Sequence, residues 1–324
     1  MELEQRFTST SIKLLKQYER FEEWERGILR PISLQLAPTD RCNLACDFCS
    51  VKNRDGDELG FFEMRPAIVT LKAKGLKTVE LTGGGDPTMY EDIEDLICFI
   101  HGQELEIGFI TNGIRLSEIS QRCLDMLTWI RISMNCLDYV DDIDMPPIAE
   151  ATTLGFSYVV NDKMTEDTVT KILKKMDEVN VEYLRLVPNC LSEKDIKASE
   201  EMVMEFGLFD NPKVFYQKKK RQVPHHCRIG YLKPFLNADG YFYHCSANPL
   251  IDRKFHPDFR MGRIDEIDKI WTQPYAAFDT KSCQEGKCFF KEHNDFLDLP
   301  RGAMLRLAQN AFRAELKIQH RNFI

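Results

Sequence analysis

The chain has 324 residues, with 43% hydrophobic and 29% charged side chains, the proportions of a globular protein with room for one large and one small domain. Its net charge of −8 argues against a surface built for stable nucleic-acid binding, which needs clustered Lys and Arg. The one basic run, Lys218-Lys219-Lys220-Arg221 with Lys213 nearby, reads as a solvated loop face and leaves a phosphate-bearing substrate open. No apolar run approaches the length of a membrane span, and the start MELEQRF lacks a signal-peptide pattern, so a cytoplasmic protein is expected.

Residues 8–27 predict an amphipathic helix stopped by Gly27. The first apolar strand, Ile32 to Leu36, runs into a cysteine-rich loop. Strands and helices then alternate. A helix over Pro66–Gly75 precedes a strand at Thr78–Leu81, and a helix over Tyr90–His101 precedes a strand at Ile107–Ile110. A helix over Ser117–Leu127 precedes a strand at Trp129–Met134. A strand at Phe156–Val160, a helix over Thr165–Asn180 and a strand at Tyr183–Val187 complete the series. Six strands separated by helical stretches are what parallel-sheet units require, and right-handed crossovers curl such a sheet into a barrel or partial barrel. Chemistry then sits at the carboxyl ends of the strands. Those ends carry TDRCNLACDFC, TGGGDP, TNG, SMN, VVN and VPNC.

Beyond a helix near Glu193–Phe206 the alternation stops. Val214–Gln217 reads as a strand. Tyr231–Phe235 and Tyr241–His244 flank Asn237-Ala238-Asp239-Gly240, a hairpin signal, and Gly302–Lys317 is helical. The expected organisation is an N-terminal helical segment (1–30), a partial barrel (31–210), a small cysteine-anchored domain (211–295) and a C-terminal helix (296–324).

Eleven cysteines, an odd number in a chain without a secretion signal, point to metal rather than disulfides. Cys42, Cys46 and Cys49 put three thiolates on one loop after a strand. A structural zinc closes its shell with a fourth Cys or His, and the next ones are Cys98 and His101. Three ligands leave one iron of a four-iron cluster free to bind something else.

The segment RCNLACDFC resembles the signature of the radical S-adenosylmethionine (SAM) superfamily. The resemblance implies a [4Fe-4S] cluster on Cys42, Cys46 and Cys49 whose fourth iron chelates SAM. It implies reductive cleavage of SAM to a 5′-deoxyadenosyl radical, hydrogen abstraction from a substrate, and an electron donor such as flavodoxin or ferredoxin. The fold it implies is an α/β, partial (β/α)6 TIM-like barrel. Phe48 matches the aromatic that packs near the adenine in that family.

Thr82-Gly83-Gly84-Gly85-Asp86-Pro87 is similar to the family's Gly-Gly-Glu-Pro motif, which implies that Gly84, Gly85, Asp86 and Pro87 receive the methionine amino group. It departs from that motif by an Asp in place of Glu and by one additional Gly. Thr111, Asn112, Ser133 and Asn135 resemble polar positions that hold the ribose and the methionine carboxylate. Asn161 and Arg185 are further candidates facing the site, Arg185 for a carboxylate of SAM or substrate or for a structural acid.

Cys227, Cys245, Cys283 and Cys288 supply four more ligands. CRIGYLKPFLNADGYFYHC resembles the opening of SPASM and twitch domains, and MGRIDEIDKIW the stretch that follows. Four cysteines fit the shorter twitch form with one auxiliary cluster, and a zinc site on the same four is the alternative. His225, His226 and His244 adjoin these ligands. Cys190 follows the last strand and is a candidate hydrogen-atom donor to a product radical, set against the ordinary role of a small buried hydrophobe. The substrate expected is a peptide or amino-acid unit, with a nucleoside or modified nucleobase as the alternative. A zinc-stabilised binding module is the non-enzymatic reading.

Overall fold

Short apolar runs become strands, and the helices Gln121–Leu124, Glu166–Glu178 and Glu193–Glu205 each follow a Ser or Thr. In the computed structural model, residues 3–218, 222–250, 252–272, 278–283, 288–314, 316 and 318–324 are described. Lys219–Arg221 of the basic run and Lys317 at the end of the expected tail helix lie outside them. In chain order the strands are β1 (Ser33–Leu36), β2 (Thr78–Leu81), β3 (Glu106–Thr111), β4 (Trp129–Ser133), β5 (Thr153–Val160) and β6 (Tyr183–Pro188). They continue with β7 (Val214–Tyr216), β8 (His226–Cys227), β9 (Phe235–Leu236), β10 (Tyr241–Tyr243), β11 (Arg260–Arg263) and β12 (Phe278–Asp279).

The chain divides into two units. One contains Ala37–Glu58 and Leu81–Lys219, the other Met1–Leu36, Leu59–Glu80 and Lys220–Ile324. In the first, β3-β4-β5-β6-β7 form a sheet in sequential order with every pair parallel. These strands are buried almost throughout, as β5 is at seven of its eight positions, because helices cover parallel sheets. Gly155 on β5 leaves room for the Tyr183 ring of β6: a Cβ there would lie 2.2 Å from Tyr183 Cζ. The helix Glu166–Glu178 starts where the Thr165 hydroxyl accepts a bond from Thr168 N, and Glu193–Glu205 where Ser192 does the same for Asp195 N. The fold is α/β with a parallel sheet, as expected, and no closed barrel forms among the described residues.

In the second unit the strand order is β11-β10-β9-β1-β2. β1 runs parallel to β9, while β9-β10 is a hairpin turned at Gly240, whose φ of 78° suits a residue without a side chain. A separate β8–β12 pair sets Phe278 opposite Cys227. Its apolar core joins Leu14, Phe21 and Trp24 to Phe296, Leu297 and Met304, with the Phe21 and Phe296 rings edge to face at 5.7 Å.

Three expected elements differ. The helix over 8–27 is a 3₁₀ segment, Ser11–Arg20, followed by a short α-helix, Phe21–Glu25, with non-helical angles at Gln17. Gln17 is buried, and its amide donates to Arg321 O and Asn322 Oδ1, tertiary bonds that outweigh local periodicity. Ser117–Leu127 is interrupted where Ile119 is extended and buried, leaving one turn at Leu116–Glu118 and another at Gln121–Leu124. Tyr231–Leu232 is not strand but the end of a helical turn, Ile229–Leu232. Asn294 Oδ1 caps that turn by accepting from Arg228 N (2.6 Å) and Ile229 N (3.2 Å), so the strand begins only at Phe235, after Pro234.

No helix among the described residues is long and apolar enough to cross a membrane.

Candidate functional site

The loop that bears Cys42, Cys46 and Cys49 is closed at its neck. Thr39 and Glu58 form an antiparallel bridge, Asp40 N donates to Asp57 O (2.9 Å), and Arg41 pairs with Glu58. Inside, Cys49 N donates to Cys46 O (3.1 Å) in a tight turn. The three cysteines are not in disulfides and are half-buried, as is Phe48. Burial pushes the Cys46 thiol up to about 11, against a hydrogen bond from Tyr139, and also raises Cys42. Each of these two also senses the charge of Cys49, so the three sulfurs share one small region. Such thiols ionise when a metal supplies the compensating charge.

The glycine-rich segment docks on this loop through its backbone. Gly85 N donates to Thr39 O (3.0 Å) and Asp86 N to Arg41 O (2.8 Å). The approach is too close for any side chain at residue 85, since a Cβ would stand 1.9 Å from Arg41 O. Gly84 and Pro87 are buried beside it. Asp86 is 4% exposed, and its carboxylate is occupied from within. Oδ1 accepts from Thr88 N (3.0 Å), Thr88 Oγ1 (2.7 Å) and Thr111 Oγ1 (2.9 Å); Oδ2 accepts from Asn112 N (2.7 Å). The Asn112 amide in turn donates to Asn43 Oδ1 at 2.6 Å and approaches Cys42 Sγ at 3.9 Å. Asp86, Thr111 and Asn112 therefore form one hydrogen-bonded web that runs from the end of β3 to the cysteine loop.

Of the other polar residues singled out by sequence, Ser133, Asn135 and Asn161 lie at the ends of β4 and β5, and Arg185 lies within β6. In the sheet register Ser133 stands opposite Ser157, and Ser157 opposite Arg185. Ser133 Oγ donates to Asn135 Oδ1 (3.4 Å), and Arg185 Nη1 to Gln217 Oε1 (3.4 Å). Asn135 behaves as a latch on β5, accepting from Val159 N (2.7 Å) and donating to Val159 O (2.9 Å). Asn161 donates to Val159 O (2.8 Å) and Asp138 Oδ2 (3.2 Å). Asp138, absent from the sequence reading, joins them: it accepts from Asn135 and from Tyr158 Oη (2.8 Å). Asn43, Arg54 and Tyr139 were also missed, because no spacing rule singles out residues whose role comes from contact with a cysteine or its loop. Cys190 lies just past β6, with its thiol toward Pro188 O (3.3 Å). Of the remaining cysteines, Cys98 and Cys123 have sulfurs 3.8 Å apart, and Cys136 is buried.

In the other unit, Cys227, Cys245, Cys283 and Cys288 line one mainly apolar cavity of about 50 Å³ together with His244 and Phe278. Burial is the main cause that raises all four thiols, Cys227 to about 11 and Cys283 to about 12, and charge on neighbouring sulfurs adds to it for Cys227, Cys245 and Cys283. The buried Asn294 amide approaches Cys227 Sγ at 3.7 Å. His244 lines the cavity wall and is held well below the usual histidine range, at about 4, by burial. His226 instead faces Asp298, and His225 contributes its carbonyl to Thr280.

Both donor sets fit iron–sulfur chemistry. Tetrahedral zinc, with Zn–S about 2.3 Å, draws its thiolates to within about 3.8 Å of one another. Among the described residues no three His, Cys, Asp or Glu side chains are arranged to hold a single metal ion. A multi-iron cluster spreads its thiolates over several metal atoms.

Comparison with known proteins agrees with this geometry. Residues 36–187, which hold the cysteine loop, the glycine segment and the ends of β3 to β5, match the model of the radical SAM superfamily. The chain is 30% identical over 182 residues to a GTP 3',8-cyclase of Staphylococcus carnosus, covering 47% of this chain and 53% of that protein. It is 36% identical over 123 residues to the GTP 3',8-cyclase of Staphylococcus aureus strain JH9, covering 34% and 36%. The chain thus spans about half, or less, of the length of these relatives. Among solved structures, Streptococcus suis SuiB bound to SAM matches with a TM-score of 0.53 at 12% identity, over 90% of this chain and 75% of SuiB. SuiB bound to its precursor peptide SuiA gives a TM-score of 0.51 at 13% identity, over 88% and 70%. At that identity the likeness concerns the fold. The family match covers just under half of the chain and falls on the segment that carries the three-cysteine loop, and it is this segment that is similar to the radical SAM superfamily.

Proposed function

We propose that the chain is an enzyme that binds SAM beside a four-iron cluster held by Cys42, Cys46 and Cys49 and removes a hydrogen atom from its substrate. When bound, the cluster supplies the electron that splits SAM into methionine and the abstracting 5′-deoxyadenosyl radical. The observation that carries this reading is the fixed cysteine loop: three cysteines outside any disulfide in one closed loop, fastened to the glycine segment and to Asn112. Gly84, Gly85 and Pro87 let backbone groups approach the methionine end of SAM. Asp86, Thr111 and Asn112 hold that wall rigid, while Phe48, Ser133, Asn135, Asn161 and Arg185 bound the space for adenine, ribose, carboxylate and substrate. Cys190, at the same strand ends, is the candidate hydrogen donor. Cys227, Cys245, Cys283 and Cys288 would hold an auxiliary cluster in their apolar cavity.

The substrate is read as a peptide or amino-acid unit. A nucleotide or nucleoside is the second reading, favoured by the sequence relationship to GTP 3',8-cyclases. The test is anaerobic incubation of the reconstituted chain with reductant, SAM and candidate substrates deuterated at known positions. Deuterium in 5′-deoxyadenosine identifies both the substrate and the carbon attacked. Absence of any SAM cleavage by iron-loaded protein overturns the reading.

A further inference from the structure

Arg54 follows Cys49 by five residues and turns back on it: its Nη2 donates to Cys49 Sγ at 3.2 Å. Its positive charge also acts on the Cys42 thiol, a second sulfur of the loop. Among the described residues the Cys49 sulfur is its one hydrogen-bond partner, its Nε is buried without a partner, and no carboxylate pairs with it. The neighbouring cations behave differently, since Arg41 is matched by Glu58 and Lys52 by Asp47. A half-buried guanidinium without a counter-ion is costly unless negative charge arrives from elsewhere. The group that would bring it is the one the cysteines bind. Three thiolates make a cluster net negative, and each added electron makes it more so.

We infer that Arg54 is a positioning and charge-tuning residue for the SAM-binding cluster, whose hydrogen bond to Cys49 Sγ favours the reduced cluster and so raises its reduction potential. The inference rests on the reading of Cys42, Cys46 and Cys49 as cluster ligands. Hydrogen bonds to the sulfurs and net charge are among the factors that set such potentials, and partners of ligand atoms tune a metal site as the ligands themselves do. The sign follows directly: a fixed positive charge stabilises the more negative of two redox states. Arg54 touches neither substrate nor reacting atoms in this role.

The experiment uses the full chain, reconstituted anaerobically with iron and sulfide, as wild type, Arg54→Met and Arg54→Lys. Iron content and circular dichroism are recorded first. The potential is then read by a redox titration that follows the electron-paramagnetic-resonance signal altered by SAM, which separates this cluster from an auxiliary one. Arg54→Met is expected to retain iron and fold but to lower the reduction equilibrium constant about tenfold, equivalent to a midpoint about 59 mV more negative for one electron. Arg54→Lys, which keeps the charge and loses the planar fork, should recover part of that shift. An unchanged midpoint in an iron-replete Arg54→Met protein overturns the inference and leaves the cluster assignment standing. So does a loss of iron in both variants with an unmoved potential in what remains, because that is a purely structural role. A wild-type chain that takes up no SAM-responsive cluster overturns the underlying reading and the inference with it.

Discussion

Asn112 Nδ2 stands 2.6 Å from Asn43 Oδ1, and through that bond the end of β3 grips the loop that carries Cys42 and Cys46. The same residue gives its backbone N–H to Asp86 Oδ2, so a single asparagine links the strand end, the glycine segment and the cysteines. The site is thus organised by side chains that bind one another, and its cysteines are displayed on a frame already braced.

Alanine at Cys42, Cys46 or Cys49 should abolish SAM cleavage, because two remaining thiolates cannot hold a cluster with one open iron. The check is 5′-deoxyadenosine production after anaerobic reconstitution, alongside iron content. Cleavage at the wild-type rate in any one of the three would sink the ligand assignment.

Asp86→Ala removes the acceptor of four distinct donors and leaves Asn112 N and the two threonine hydroxyls without their partner. Hydrogen bonds to a buried charge contribute about 1.5–3 kcal/mol each and are not additive, so a destabilisation of about 3 kcal/mol is expected. Chemical denaturation measures it. SAM affinity, followed by calorimetry on the folded protein, should weaken as the glycine wall loosens. Gly85→Ala should damage the same wall by a different route, since its Cβ meets the Arg41 carbonyl.

Cys283→Ala removes one thiol from the apolar cavity of the second unit and leaves Cys42, Cys46 and Cys49, which belong to the first, unchanged. Iron per chain should fall by the share of the auxiliary cluster, while SAM is still cleaved without substrate turnover. Unaltered iron content would remove Cys283 from the ligand set.

His293 is 2% exposed, and burial together with the charges of Lys233 and Lys13 holds it down to about 3. The unfolded chain binds a proton at this residue near the ordinary histidine pKa of about 6.5, and the native state does not. Its contribution to stability is therefore complete above about pH 6.5 and is lost as pH falls toward 3, by up to about 1.4 kcal/mol per pH unit. In His293→Leu the slope of unfolding free energy against pH over this window should be shallower than in wild type. Parallel slopes would show that the ring is already protonated in the fold.

The strand–helix alternation was legible because fully buried parallel strands are short apolar runs, and their ends are marked by Gly, Asn and Pro. The cysteine loop was legible because close spacing on one loop needs no tertiary information. Asp138 was not, since its meaning lies in accepting from Asn135, Tyr158 and Asn161, which only the packing of β4 against β5 brings together. The helical turn at Ile229–Leu232 was misread as strand because the cap that creates it, Asn294, comes 65 residues later.

Sequence by itself singled out the cysteines as candidate metal ligands and set the glycine and asparagine motifs at the ends of parallel strands, because covalent order and side-chain period suffice for that. Tertiary structure alone decided what those residues do for one another. It turned Asp86 from a presumed ligand-facing carboxylate into the knot of a buried web, gathered four distant cysteines around one cavity, and laid Arg54 against Cys49. Hydrogen bonds and burial act through space, and a linear string of residues carries no record of which of them will meet.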